Sequence, residues 1–117
     1  MNIKDDLKNN LELILEQLKK QNIFKIILFG SLVNDNVNEY SDIDLFIVLD
    51  DDFLPQSYDE RMNIRLKIRK SLREINKKVP IDLLIYTLPE YKILLENETT
   101  FIKEIQETGK IIYEKAS

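Results

Sequence analysis

The pattern of apolar and polar positions predicts a chain of alternating helices and strands. Two stretches carry leucine or isoleucine every three or four residues, which is the spacing of one buried helix face. Three others are short, mostly apolar and rich in aromatic and β-branched residues, which indicates buried strands. We predict helices over 7–18, 57–78, 89–96 and 98–108, and strands over 24–29, 43–49, 81–86 and 111–113.

The order of these elements predicts an α/β (α+β) fold. Helix, strand, strand, helix, strand and further helices fit a mixed β-sheet of about 3–4 strands flanked by helices. The 117 residues are the length of one small domain, and no internal repeat or low-complexity linker divides them. We therefore expect one domain over 1–117.

Composition changes the picture through two absences. The chain contains no Cys and no His, which excludes Cys/His zinc sites, cysteine nucleophiles and histidine bases. Catalysis would have to rely on carboxylate, hydroxyl, lysine, arginine or tyrosine groups. Any bound metal would be a hard cation held by oxygen, which means magnesium, manganese or calcium.

Charge and hydropathy suggest where the protein acts. No apolar run approaches the ~20 residues of a membrane span, and the charged N-terminus is unlike a signal peptide, so we expect a cytoplasmic protein that does not enter a membrane. The net charge of −4 disfavours direct binding of nucleic acid through a basic face. Segment 61–78 is nevertheless strongly basic, and it either attracts an anionic ligand or partner or is an ordinary solvated helix face.

The candidate chemistry begins with two short motifs separated by ten residues. Gly30 ends a predicted strand, where the missing side chain lets the main chain approach a ligand. Ser31 follows, where free N–H groups and a hydroxyl favour a phosphate. Asp42 and Asp44 stand two apart at the start of the next strand, so their side chains project from one face. Two adjacent carboxylates repel each other unless a cation or a proton lies between them, and magnesium bridging them to substrate phosphates would satisfy both.

A third carboxylate stands in the third predicted strand. Asp82 is the only charged residue of 81–86, and a charge in such an apolar run is costly unless it is paired or metal-bound. If this strand lies beside 43–49, Asp82 completes a cluster of three carboxylates, which can hold two metal ions about 3.5–4 Å apart. The acidic run 50–52 is too far along its strand to share those ions and predicts a solvated loop.

The sequence around these residues resembles the polymerase-β-type nucleotidyltransferase superfamily. The resemblance is carried by 28–31, which reads LFGS, and by 41–45, which reads SDIDL. Within the superfamily the chain is most similar to the small, single-domain minimal nucleotidyltransferases. Relatives often carry a basic, glycine-containing stretch just after the Gly-Ser, whereas 32–36 reads LVNDN here.

The resemblance implies an activity and a set of roles. The chain would transfer a nucleoside monophosphate, most simply AMP from ATP, to an acceptor hydroxyl with release of pyrophosphate. Asp42 and Asp44 would bind both of two Mg²⁺ ions, for which Mn²⁺ can substitute. Asp82 would bind the catalytic ion and help deprotonate the acceptor. Gly30 and Ser31 would hold the triphosphate.

The resemblance also implies a partner. Minimal nucleotidyltransferases are commonly antitoxins encoded beside HEPN-domain ribonuclease toxins, and in that setting they resemble enzymes that adenylylate the toxin on a tyrosine hydroxyl. Two other functions fit the same residues. An antitoxin that neutralises its toxin by binding alone is disfavoured by the intact Asp42, Asp44 and Asp82. A nucleotidyltransferase that modifies a small molecule such as an antibiotic is disfavoured because such enzymes usually carry an extra helical domain.

Overall fold

The structure is a computed structural model that describes residues 3–30 and 42–116. The helices are α1 (Ile3–Leu18), α2 (Tyr58–Ser71), α3 (Arg73–Asn76), α4 (Leu88–Asn97) and α5 (Thr100–Thr108). The strands are β1 (Ile23–Phe29), β2 (Ile43–Leu49), β3 (Ile81–Thr87) and β4 (Lys110–Glu114). None of the helices in this described part of the chain is both long and apolar enough to cross a membrane.

The four strands form one mixed sheet in the order β3-β2-β1-β4. β1 pairs antiparallel with both β2 and β4, whereas β2 and β3 run parallel and are joined by the crossover through α2 and α3. Lys25 of β1 lies opposite Glu114 of β4, and their side chains form an ion pair of 3.0 Å. The predicted mixed sheet of an α/β (α+β) fold is confirmed.

Each face of the sheet packs against its own layer of helices. Side chains alternate along β2, so that Ile43, Leu45 and Ile47 join one core cluster with α1 and α2, while Phe46 and Val48 join another with α4 and α5. All five side chains are fully buried. Because both faces of β2 are covered, its sequence is an apolar run rather than a strict alternation.

The prediction of one long helix over 57–78 is wrong, because the helix is interrupted at Leu72. α2 ends at Ser71, whose hydroxyl donates to the Ile68 carbonyl at 2.6 Å and so competes with the helical main-chain bonds. Leu72 leaves the helical conformation with φ −108° and ψ 6°, yet its side chain stays buried. Apolar spacing does not reveal such a break, since Leu72 remains in phase with the buried face.

Candidate active site

Two of the predicted site residues lie side by side on neighbouring strands. The parallel register of β2 and β3 pairs Asp44 with Asp82, and adjacent strands are only about 4.8 Å apart. The two carboxyl groups project from the same face and lie close enough for a proton on one of them to be shared with the other. The conditional prediction that 81–86 lies beside 43–49 is therefore confirmed.

The surroundings of Asp44 disfavour its charged form. Partial burial is the largest cause, followed by the hydrogen bond with Asp82 and by the negative charges of Asp82 and Asp42, and together they raise the pKa of Asp44 to about 6. A cation between the carboxylate oxygens would remove this repulsion. The pair thus offers the oxygen donors and the uncompensated negative charge that a hard divalent cation requires.

Gly30 lies against Asp44 from the β1 side. It follows Phe29, which pairs with Asp44 across the antiparallel ladder of β1 and β2. Its φ of +80° is in the left-handed region, and a Cβ at this position would lie 2.2 Å from Asp44 Oδ2. Only glycine therefore fits here while the Asp44 carboxylate keeps its position. The sequence predicts that a ligand approaches the main chain at Gly30. Among the described residues, the group that lies this close to Gly30 is the Asp44 side chain.

Of the other two predicted site residues, the structure describes only Asp42. Asp42 immediately precedes β2, is half-buried and acts on Asp44 through its negative charge. Ser31 lies outside the described residues. Within 3–30 and 42–116, no group of three acidic side chains is gathered closely enough to hold a metal ion as it stands. Asp44 and Asp82 are thus in contact, and Asp42 is their charged neighbour.

A cleft of about 450 Å³ opens beside the two carboxyl groups. Its apolar walls are formed by Phe29 of β1, by Leu72, and by Ile81, Leu83 and Leu84 of β3. Two polar side chains from the crossover complete it, Arg69 of α2 and Asn76 of α3. In the sequence, Arg69 is one of many basic residues of 61–78. Its seven-residue spacing from Asn76 would put both on one side of an unbroken helix, but the helix is interrupted at Leu72, and nothing in the sequence shows that the two residues line a cleft with Asp82.

The acidic run 50–52 lies at the opposite end of β2, as expected of a loop outside the site. The Asp50 carboxylate forms an ion pair with Lys115. The Asp51 carboxylate accepts a hydrogen bond from the Phe53 N–H at 2.9 Å. These two acids therefore have local partners of their own, and they share none with Asp44.

The fold and the paired carboxylates together define a nucleotidyltransferase domain. The family model for polymerase β nucleotidyltransferases matches residues 9–117, which is most of the chain. The chain belongs to this family, and the resemblance drawn from the motifs at Gly30 and Asp42 is confirmed at that level. A comparison with curated proteins finds no match.

Solved structures with low sequence identity are similar in fold. A putative nucleotidyltransferase from Sulfolobus solfataricus matches with a TM-score of 0.54 at 14% identity, over 97% of this chain and 81% of that chain. A toxin–antitoxin structure with AMP-PNP matches with a TM-score of 0.52 at 20% identity, over 87% of this chain and 71% of that chain. The complex of tri-AMPylated Shewanella oneidensis HEPN toxin with MNT antitoxin gives 0.44 at 19% identity, over 92% and 72%, which is too low to establish a shared fold.

Proposed function

We propose that this protein is a magnesium-dependent nucleotidyltransferase that transfers AMP from ATP to an acceptor hydroxyl. The observation that carries the proposal is the contact between the Asp44 and Asp82 carboxyl groups, beside Gly30, in a member of the polymerase β nucleotidyltransferase family. The fold itself does not need this contact, because neutral side chains at the two paired positions would avoid the repulsion. A pair of acids kept together against that repulsion is typical of a functional site.

Asp42, Asp44 and Asp82 would hold the metal ions. Their donors are carboxylate oxygens, which Mg²⁺ and Mn²⁺ prefer, and the repulsion that raises the pKa of Asp44 is one that a cation would relieve. When bound, such ions stabilise the negative charge on the attacking and leaving oxygens.

The other steps fall to the chain's own groups. Gly30 and Ser31 would present main-chain N–H groups to the phosphates of ATP. Asp82, exposed on β3, would accept the proton of the acceptor hydroxyl as the acceptor oxygen bonds to the α-phosphorus. The bond from the α-phosphorus to the bridging oxygen then breaks, and pyrophosphate leaves with that electron pair. The products are the AMP ester of the acceptor and pyrophosphate.

The acceptor in this proposal is a tyrosine hydroxyl of a HEPN-type toxin, and the protein acts as the antitoxin. Two lines support this partner. The motifs at 28–31 and 41–45 resemble those of minimal nucleotidyltransferases. The fold is similar to that of a chain from a toxin–antitoxin structure with AMP-PNP.

The test is a transfer assay with α-labelled ATP and Mg²⁺, with and without a purified HEPN-domain protein encoded next to this chain. We expect label on the partner, dependent on Mg²⁺ and lost in Asp44→Asn. The matched control is Asp50→Asn, which removes an aspartate from the other end of β2, where it pairs with Lys115, and should leave transfer intact.

Other outcomes would point to a different function. A tight complex with the partner but no label from any of the four NTPs would contradict the transferase and favour an antitoxin that acts by binding alone. Label on an aminoglycoside and none on the protein partner would favour a small-molecule nucleotidyltransferase.

A further inference from the structure

Arg69 is the one cation among the described residues that line the cleft beside Asp44 and Asp82. It is exposed, and within the described part of the chain it forms no ion pair with either carboxylate or with any other acid. A guanidinium that lines the same cleft as two acids and pairs with neither is available to bind an anionic group from outside.

The polar neighbour of Arg69 in the cleft is already occupied. The side-chain carbonyl of Asn76 accepts a hydrogen bond from the Ile81 N–H at 3.0 Å, which ties the end of α3 to the start of β3. The remaining walls include the apolar side chains of Phe29, Leu72 and Leu83. A cleft with apolar walls, two carboxyl groups and one unpaired cation fits a ligand that is part aromatic or aliphatic and part anionic.

The position of Arg69 favours the acceptor over the nucleotide. Gly30, where the triphosphate is expected, lies on the β1 side of Asp44. Asp82 lies on the β3 side, and Arg69 comes from the crossover that leads into β3. An anion bound by Arg69 would therefore lie in the same cleft as the hydroxyl whose proton Asp82 accepts.

We propose that this cleft is the acceptor subsite and that Arg69 selects a hydroxyl-bearing aromatic side chain with an anionic group next to it. The inference rests on the proposed transfer reaction. The occupant to which it commits is a polypeptide segment in which an acidic residue adjoins the acceptor tyrosine. The apolar walls receive the ring and the guanidinium binds the neighbouring carboxylate. The net charge of −4 disfavours a nucleic acid in the same place.

The test uses three capped pentapeptides that differ only in the residue before a central tyrosine, which is glutamate, glutamine or lysine. Transfer from α-labelled ATP is measured with the full-length chain, Arg69→Ala, Arg69→Glu and the matched control Arg73→Ala, an arginine that does not line the cleft. We expect the wild type to favour the glutamate peptide about tenfold in kcat/KM, the gain of one charge-assisted hydrogen bond. Arg69→Ala should abolish this preference without changing KM for ATP, Arg69→Glu should favour the lysine peptide, and Arg73→Ala should behave as wild type.

Several results would overturn the inference while leaving the transferase in place. Equal labelling of the three peptides by the wild type would do so, as would preferential labelling of a short RNA. A rise in KM for ATP in Arg69→Ala, with the peptide preference intact, would assign Arg69 to the triphosphate instead.

A second readout separates this inference from the transfer reaction. Binding of the same peptides is followed by NMR titration in the presence of a non-hydrolysable ATP analogue and Mg²⁺. If no peptide is labelled but the glutamate peptide binds preferentially and depends on Arg69, the proposed reaction fails and the subsite stands. If no peptide binds, or if the affinity does not depend on the charge of the residue before tyrosine, the assignment of this cleft as the acceptor subsite is wrong.

Discussion

The two ends of strand β3 differ in how their charged groups are paired. α2 contributes an arginine near each end, Arg61 near Thr87 and Arg69 near Asp82. At the first end, Thr87 is fully buried, and its N–H donates to Glu90 Oε1 at 3.1 Å in a capping box that begins α4. The other Glu90 oxygen forms an ion pair of 3.0 Å with Arg61. Glu90 and Arg61 at this end are therefore paired with each other, and Glu90 also accepts a hydrogen bond from the main chain.

At the Asp82 end, no such partners are found among residues 3–30 and 42–116. The Asp82 carboxyl group contacts Asp44, which is also an acid. Arg69 lies two helical turns beyond Arg61 and has no ion pair within the described residues. Unmatched charges cost stability, and such charges are the feature on which the proposed binding role of this end rests. β3 is thus held by paired groups at Thr87, whereas its Asp82 end is the one to which we assign the chemistry in the proposed function.

The largest effect that we expect at either end of β3 is the loss of nucleotidyl transfer in Asp82→Asn. Removing a group that accepts the acceptor proton should lower kcat by about 10²–10⁴-fold. Because Asp82 is exposed, the free energy of unfolding should change by less than about 0.5 kcal/mol. A transfer assay and a urea melt on the same preparation check both. Full activity in Asp82→Asn would remove this residue from the site.

Glu90→Ala should destabilise the Thr87 end of β3 without lowering the transfer activity. The substitution removes the cap of α4 and the acidic partner of Arg61 from a nearly buried position. We expect a loss of about 2–3 kcal/mol in unfolding free energy, with kcat per folded molecule unchanged. The control is Glu74→Ala, which removes an exposed acid paired only with Lys77 and should change stability by well under 1 kcal/mol. A kcat that falls in Glu90→Ala at unchanged stability would contradict the division between the two ends.

Gly30→Ala should disrupt the site at the Asp82 end of β3, because it displaces the Asp44 carboxylate. The new Cβ would meet Asp44 Oδ2, and a non-glycine residue would have to adopt a left-handed φ. We expect the free energy of unfolding to fall by about 2 kcal/mol and most of the transfer activity to be lost. Gly109→Ala is the matched control, since its Cβ would lie 2.4 Å from the Ile105 carbonyl and 2.6 Å from Ile27 Cγ2 and would meet neither carboxylate. It should lower stability without lowering kcat per folded molecule. Equal losses of kcat in the two variants would show that Gly30 has no special relation to Asp44.

The smallest expected effect is a pH dependence of stability in the metal-free protein. The pKa of Asp44 is raised to about 6 in the folded state, so the folded protein binds this proton more tightly than the unfolded chain does. The resulting stabilisation is fully present below about pH 4 and is lost as the pH rises through 6. Since solvent reaches Asp44, we expect only about 1 kcal/mol between pH 4 and 7, measured as the difference from Asp44→Asn. A difference that is constant with pH would contradict the raised pKa.

Much of the fold and of the carboxylate pair could be predicted from the sequence, because both depend on local spacing. The apolar runs mark β1, β2 and β3 to within a residue, and the isolated charge of Asp82 in such a run indicates a site. Two acids that lie opposite each other need only two adjacent parallel strands in register, and βαβ order makes that arrangement a common one.

What could not be predicted depends on contacts between distant segments. The break at Leu72 keeps the apolar phase of the helix, so periodicity does not show it. The approach of Arg69 to the Asp82 end requires the position of the crossover over the sheet. The occupation of the space beside Gly30 by the Asp44 carboxylate requires the register of β1 and β2. None of these is encoded in spacing along the chain.

The central claim is that Asp44 and Asp82 are held together for a cation, and an NMR titration of the Asp44 carboxyl carbon tests it most directly. Without metal we predict a pKa of about 6. With saturating Mg²⁺ and a non-hydrolysable ATP analogue, the titration should move below the ordinary value for aspartate of about 3.9, because the cation favours the charged form. An Asp44 pKa that is ordinary without metal, or one that Mg²⁺ does not lower, would contradict the account.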